Sequence, residues 1–206
     1  MKIYNTKNYY PTKNPLKGHE SNMFNGQILF DYLFSNFSIE VFCEVGCYYG
    51  SGVRYLLDYN KDVFICAIDL WDNEFLINLY EKLSFDTSTY ETELRNYPLF
   101  DAFISNIWND KHRVLPLKMN SIDGLNAIKK LKINPDVIYI DSSHTYEDTK
   151  EELNESCKLF PDSILCGDDY DPNYGGVAPA VNEFTETHNF DLKIFKNQWL
   201  LLQREK

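Results

Sequence analysis

The sequence has little positive charge, no long apolar run and no paired-cysteine framework, and each shortage removes a class of function. Its 20 lysines and arginines face 31 aspartates and glutamates, a formal net charge of −11. Nonspecific nucleic-acid binding rests on cation–phosphate contacts, so an acidic chain is poorly equipped for it and no nucleic-acid partner is expected. No apolar stretch approaches the ~20 residues that a membrane span requires, so no membrane association is expected either. The segment Met1 to Asn14 is polar and tyrosine-rich, without the apolar core and small-residue cleavage site of a secretory signal. The expected compartment is therefore cytoplasmic, in its own cell or in a host cell. Cys43, Cys47, Cys66, Cys157 and Cys166 are odd in number and mostly lie in apolar, strand-like contexts, which reads as reduced, buried thiols. The pair Cys43 and Cys47 lacks a second Cys/His pair at matching spacing, which disfavours zinc.

With 206 residues, 44% of them apolar and 25% charged, the chain reads as globular and fits one domain. Residues 1–23 read as an irregular lead-in and residues 24–206 as the domain itself. Short apolar strands alternate with amphipathic helices. Strands are expected at Glu40 to Val45, Val63 to Asp69, Val114 to Leu117, Asp136 to Ile140 and Ser163 to Cys166, then at Leu192 to Phe195 and Trp199 to Gln203. Helices are expected at Phe24 to Phe37, Gly50 to Tyr59, Phe100 to Trp108, Ser121 to Lys130, Thr145 to Phe160 and Val177 to His188. Thr145 is a candidate N-cap with Asp148 in the first turn. The stretch from Trp71 to Asn109 reads as helical in pieces, broken at Tyr97 and Pro98. Fully apolar strands between helices imply an α/β fold: a seven-stranded, mostly parallel sheet with helices on both faces and an antiparallel C-terminal hairpin around Lys196, Asn197 and Gln198. In such sheets ligands bind beyond the carboxyl ends of the strands, so the residues just after each strand are the ones to weigh.

After the first strand come Glu44, Gly46, Gly50, Ser51 and Gly52. Glycines at a strand-to-helix turn let a ligand approach the backbone, and the helix start offers free N–H groups to a negative group. The turn lacks the Gly-Lys-Ser/Thr ending of a phosphate loop, against an NTPase. Its glycine spacing also differs from Gly-x-Gly-x-x-Gly, against a dinucleotide oxidoreductase. Asp69 ends the second strand, 25 residues after Glu44. It reads equally as an acceptor for ribose hydroxyls and as a turn aspartate. Asn120 and Ser121, after the third strand, read equally as an adenine edge and as a helix cap. Asp141 ends the fourth strand, His144 follows, and Asp168 and Asp169 end the fifth. Three carboxylates gathered at one rim repel one another unless a cation or protons compensate, and a hard divalent cation such as Mg²⁺ prefers oxygen ligands of this kind.

These residues resemble a known family. Glu44, Gly46 and Gly50 with Asp69 are similar to the first two motifs of class I S-adenosylmethionine (SAM)-dependent methyltransferases. Asp141, His144 and Tyr146, then Gly167, Asp168, Asp169 and Tyr170, then Gly176 and Val177 ahead of a helix, resemble the group called methyltransferase family 24. That group is similar to macrocin-type sugar O-methyltransferases and, more distantly, to catechol O-methyltransferases. The resemblance runs from about Phe24 to the C-terminus and implies a Rossmann-like sheet. It implies that Glu44 lies by the methionine end of SAM, beneath the glycine turn of Gly46 and Gly50, with Ser51 also at the cofactor. Asp69 then holds the ribose, Asn120 and Ser121 sit by the adenine, and Trp71 lies near the cofactor. Asp141, which also borders the cofactor, Asp168 and Asp169 match the ligands of the metal-dependent members, and His144 falls where the catechol enzymes carry a catalytic lysine. An imidazole titrates near pH ~6.5, which suits a base at neutral pH.

The acceptor implied is a small molecule, a sugar or sugar nucleotide, with a small phenol as the alternative and a catalytically silent binding protein as the rival reading. Trp71 and Tyr170 are the aromatic candidates for a substrate platform. His19 and Lys17 are placed to close over the cofactor, against the simpler reading of a disordered leader. Residues 72–100 match no pattern of the family and are a candidate substrate lid. Small enzymes of this group often pair, so a homodimer is an expectation.

Overall fold

The computed structural model describes residues 4–15, 18–19, 24–82, 87–173 and 175–204. The helix α1 (Gln27–Asn36) leads into β1 (Val41–Val45), α2 (Ser51–Tyr59) and β2 (Phe64–Asp69). Three helices follow, α3 (Asn73–Lys82), α4 (Thr87–Asn96) and α5 (Leu99–Ile107), then a 3-10 turn at Trp108–Arg113 and β3 (Val114–Lys118). The remainder runs α6 (Ser121–Lys130), β4 (Val137–Ile140), α7 (Tyr146–Leu159), β5 (Ile164–Gly167), α8 (Val177–Thr187), β6 (Phe190–Phe195) and β7 (Gln198–Gln203). The seven strands form one sheet in the order β3-β2-β1-β4-β5-β7-β6. Strands β1 to β5 are parallel, and β7 inserts antiparallel between β5 and β6. Strand order reverses between β1 and β4, and at such a switch point the two flanking loops diverge and leave a crevice.

Burial explains why these strands are apolar throughout. Every residue of β1 is buried, so both faces of the strand meet helices rather than water. Val41, Cys43 and Val45 face a cluster that includes Leu125 and Ile128 of α6, Leu153 of α7 and Val181 of α8. Phe42 faces the other layer, with Phe30 of α1, Leu56 of α2 and Phe103 of α5. Helix ends follow local chemistry. The Thr145 hydroxyl accepts the Asp148 N–H and caps α7, as its sequence position predicts. The break at Pro98 separates α4 from α5.

Most boundaries shift by a residue from the sequence reading, and three of the differences have a packing reason. Helix α1 starts at Gln27, because Phe24 folds back on Phe30 with ring centroids 4.9 Å apart. Strand β6 starts at Phe190, whose ring packs on Phe184. The hairpin turn has two residues, not three: Phe195 pairs with Gln198, and Lys196 takes a left-handed φ of 59°. Gln198 is 1% exposed and reaches the Tyr139 hydroxyl, which draws it into the sheet.

All five cysteines are free thiols, four of them buried. No helix among the described residues is long and apolar enough to cross a membrane. The described part of the lead-in is irregular apart from a 3-10 turn at Lys7–Tyr9 and packs on the β3 edge. Tyr4 packs tilted against Phe64, and the Thr6 and Tyr10 hydroxyls donate to the Lys111 and Val114 carbonyls. His19 stacks on Tyr49, just before α2, with ring centroids 4.4 Å apart. Lys17 lies outside the described residues.

Candidate active site

The loops after β1, β2, β4 and β5 converge at the carboxyl edge of the sheet. Among the described residues, six non-glycine residues have left-handed backbone, and four of them sit in these loops: Tyr48, Trp71, His144 and Asp169, with φ between 42° and 59°. Such conformations cost ~1–3 kcal/mol each and persist only where the surroundings over-determine them.

The β1 loop is built around Gly46 (φ 86°) and Gly50 (φ 85°). A Cβ on Gly46 would lie 1.8 Å from the Asp141 carbonyl oxygen, so only glycine lets the β1 and β4 ends approach. Asp69 clasps the turn. Its Oδ2 accepts the Cys47 and Tyr48 N–H groups at 2.8 Å each, and its Oδ1 accepts the Trp71 N–H at 2.6 Å. Burial lifts Asp69 above the usual carboxylate range, against the pull of those three N–H groups and of Lys118. A carboxylate has about four acceptor positions, so this clasp leaves roughly one for a ligand. The turn-aspartate reading is thus the one realised by the protein's own contacts.

Glu44 points under the same turn and is 3% exposed. Its Oε2 is buried and accepts no hydrogen bond. Burial first, then the nearby Asp141 and Asp69, push its carboxyl well above the usual range. Gly52 makes the room: a Cβ there would stand 2.7 Å from Glu44 Oε1. A buried polar oxygen without a partner is costly, which marks a place suited to a donor or cation from outside the protein.

At the neighbouring rim, ligating atoms of Asp141, His144 and Asp169 all lie within 4.8 Å of one another. His144 Nδ1 is 3.0 Å from Asp169 Oδ2. Burial, then Asp168, Asp169 and Asp69, drive the Asp141 carboxyl well upward. Crowded carboxylates of this kind are relieved by a bound cation, and the two carboxylates, as hard oxygen donors, fit a divalent metal. Asp168 stands beside them but is otherwise engaged. Its Oδ1 accepts the Asp169 N–H at 2.8 Å and the Asn197 amide at 2.6 Å. Among the expected metal set Asp141, Asp168 and Asp169, it is therefore Asp141 and Asp169 that gather, with His144 beside them.

Other sequence candidates fall elsewhere. Trp71 is 2% exposed, packed on Phe100 and Phe103, and its indole N–H donates to the Tyr48 carbonyl at 2.8 Å. It is a core residue that ties the β2 loop to the β1 turn, which corrects its reading as an open aromatic platform. Asn120 caps α6: its Oδ1 accepts the Asp123 N–H and its Nδ2 donates to the Asp123 carboxylate. The Ser121 hydroxyl lies close to Glu152 and draws its carboxyl pKa down. Ser51 opens α2 above the glycine turn. Tyr170 stays near the carboxylates, half-buried, its hydroxyl donating to Asn182 Oδ1 at 2.8 Å. Sequence reasoning named Gly176 only as part of the family motif and passed over Asn197 and Glu152 as site residues. The Gly176 N–H donates to the His144 carbonyl, and a Cβ there would meet the Tyr146 N at 1.9 Å. Glycine ahead of a helix was the readable signal for Gly176; nothing local marked the other two. A cleft of about 280 Å³ adjoins this end, lined by Pro172, Asn173, Gly175, Ala178, Pro179 and Asn182.

No family model and no curated protein matches the chain. Solved structures do match. An O-methyltransferase from Bacillus cereus in complex with S-adenosylhomocysteine (SAH) is 14% identical over 90% of this chain and 83% of its own, with a TM-score of 0.59. A TDP-rhamnose 3′-O-methyltransferase of calicheamicin biosynthesis is 15% identical over 86% of this chain and 76% of its own, at 0.53. The chain has the class I methyltransferase fold. A third structure, the MycE methyltransferase of the mycinamycin pathway with Mg, SAH and mycinamycin VI, is 12% identical at 0.57 and is matched over 50% of its length. The likeness is one of fold, carried in this chain by the sheet order β3-β2-β1-β4-β5-β7-β6 with its reversed β7.

Proposed function

We propose that the protein is a SAM-dependent O-methyltransferase that methylates a hydroxyl of a small acceptor, a sugar or related polyol, with a divalent cation such as Mg²⁺ at the carboxylate rim. The observation that carries the reading is the sealed, unpartnered oxygen of Glu44 beside the glycine turn. Three solved neighbours with SAH, with Mg, or with a sugar-nucleotide name support the same assignment. When bound, SAM supplies an electrophilic methyl, and a divalent cation lowers the pKa of a coordinated hydroxyl.

The chain's own residues do the rest. Glu44 accepts from the ammonium of the methionine end, and the N–H groups at the start of α2, from Ser51 on, face its carboxylate. Gly46 and Gly50 keep the backbone low enough for that approach. The fourth acceptor position of Asp69 is available to a ribose hydroxyl, and Asn120 and Ser121 border the adenine end. Asp141 and Asp169 hold the cation, and Asp168 steadies the β5 end through Asn197. Asp169 fixes Nδ1 of His144, which leaves Nε2 to take the proton of the acceptor hydroxyl. In-line transfer depends on alignment, and the left-handed His144 and Asp169 keep base and rim in register. The cleft beside Tyr170 suits the acceptor, since Asn173 and Asn182 offer carboxamides and its two prolines offer an apolar floor.

The test is transfer from SAM to a panel of glycosides and catechols with Mg²⁺ and with EDTA. Transfer to a glycoside supports the sugar reading, and transfer confined to catechols supports the small-phenol alternative. With the acceptor found, His144→Ala lowers kcat by roughly 10²–10⁴-fold, the usual contribution of a general base. An unchanged kcat removes His144 from the chemistry.

A further inference from the structure

We infer that Glu152 is a positioning residue that holds the two turns flanking the cofactor site at a fixed spacing; the inference rests on the methyltransferase reading above. Glu152 lies on the face of α7 turned toward the sheet, beside Thr149, Leu153 and Ser156, and is 2% exposed. A buried carboxylate is costly unless it is hydrogen-bonded or paired, so its partners explain its presence. Ser142 Oγ donates to Glu152 Oε2 at 2.7 Å. The Ser121 hydroxyl also lies close enough to this carboxylate to draw its pKa down.

The two serines belong to different turns. Ser142 directly follows Asp141, in the loop after β4 that also carries His144. Ser121 opens α6, in the turn after β3 assigned to the adenine end. One carboxylate thus braces the chemical rim against the adenine side, from beneath both. Leucine would fill much the same volume without the desolvation cost, so the polar contact serves the turns and not the core.

The charge state agrees. Burial lifts the Glu152 carboxyl most, the Ser142 and Ser121 hydroxyls pull it back, and Asp148 and Glu151 add to the rise, leaving it at about 7. Because that folded value lies above the ordinary 4.5, the group favours the fold at low pH and loses that contribution as pH rises through 7. At pH 8 the ionised Glu152 is therefore a net cost to stability, tolerated at a place where it fixes geometry.

The experiment compares SAH binding by calorimetry and melting temperature at pH 8 for the full chain and three variants. Glu152→Leu is expected to melt at or above the wild-type temperature, yet to bind SAH about tenfold more weakly, the lower end of what a hydrogen bond to a charged group is worth. Glu152→Gln keeps an acceptor oxygen for the serines and restores affinity to within about twofold of wild type. A merely structural role predicts the opposite pairing, with affinity moving only as stability moves. SAH affinity unchanged in Glu152→Leu overturns the inference. Should that variant fail to fold, Ser142→Ala decides it, because unchanged affinity there overturns it equally. Wild-type protein that binds no SAH removes the methyltransferase reading and this inference together, whereas normal binding in every variant removes this inference alone.

Discussion

Replacing Asp141 with asparagine is expected to abolish methyl transfer while the protein stays folded and still binds SAH. The side chain loses one charge and almost no volume. Its backbone N–H, which donates to the Val45 carbonyl at 2.7 Å, is untouched. Burial and the neighbouring Asp168, Asp169 and Asp69 already press the Asp141 carboxyl toward its neutral form, so a neutral amide relieves repulsion instead of adding strain. Stability should therefore hold or rise. Activity should not, because an amide binds a hard cation far less well than a carboxylate. Even residues one shell removed from a bound metal cost ~10–100-fold on mutation, so a direct ligand should cost at least ~10²-fold in kcat. Single-turnover transfer from labelled SAM, with melting measured in parallel, checks both halves. Near wild-type turnover in a folded Asn variant would remove the metal from the proposal.

Gly46→Ala acts on the other link, from sequence to fold. An alanine at φ 86° carries the ~1–2 kcal/mol penalty of left-handed backbone for a residue with a Cβ. Its methyl would also meet the Asp141 carbonyl oxygen at 1.8 Å, the carbonyl carbon at 2.5 Å and Ser142 Cα at 2.9 Å. All three are backbone atoms of a β4 end held in the sheet, so no rotamer change relieves the clash. A loss of at least ~4 kcal/mol is expected, in the range reserved for severe strain. In a domain of this size that corresponds to a drop of about 10 °C in melting temperature. Gly50→Ala is the internal control. Its φ is equally left-handed, but its Cβ would meet the edge of the Phe103 ring at 2.7 Å, a side chain that can turn aside. Thermal unfolding of both variants should rank Gly46→Ala as much the more damaging, and equal melting temperatures would contradict the close β1–β4 approach.

The sequence made the sheet legible because strands buried on both faces must be apolar along their whole length, as β1 and β4 are. Thr145 with Asp148 announced α7, and the glycines after Glu44 announced the turn. What stayed hidden depends on the direction a side chain takes once its strand has ended. Asp69 turns inward to clasp the Cys47 and Tyr48 amides, and Trp71 dives into the core behind it. Asp168 is drawn off by Asn197, which lies in a hairpin turn far along the chain. That contact brings a residue from β7's turn to the end of β5, and no local pattern encodes it. Glu152 was hidden for a related reason: a helix rich in glutamate and lysine gives no sign of which carboxylate faces inward.

The central claim, that Glu44 and the glycine turn receive the methionine end of SAM, is tested most directly by titrating SAH into the wild-type protein and into Gly52→Ala in one calorimetric series, with Mg²⁺ and with EDTA. In Gly52→Ala the backbone stays helical, but the new methyl stands within 3 Å of both Glu44 carboxylate oxygens and must displace them. Micromolar binding by the wild type in both buffers, lost or weakened at least tenfold in Gly52→Ala (~1.4 kcal/mol), is the predicted result. No binding by the folded wild type, or equal binding by the two proteins, would contradict the placement of the cofactor at Glu44.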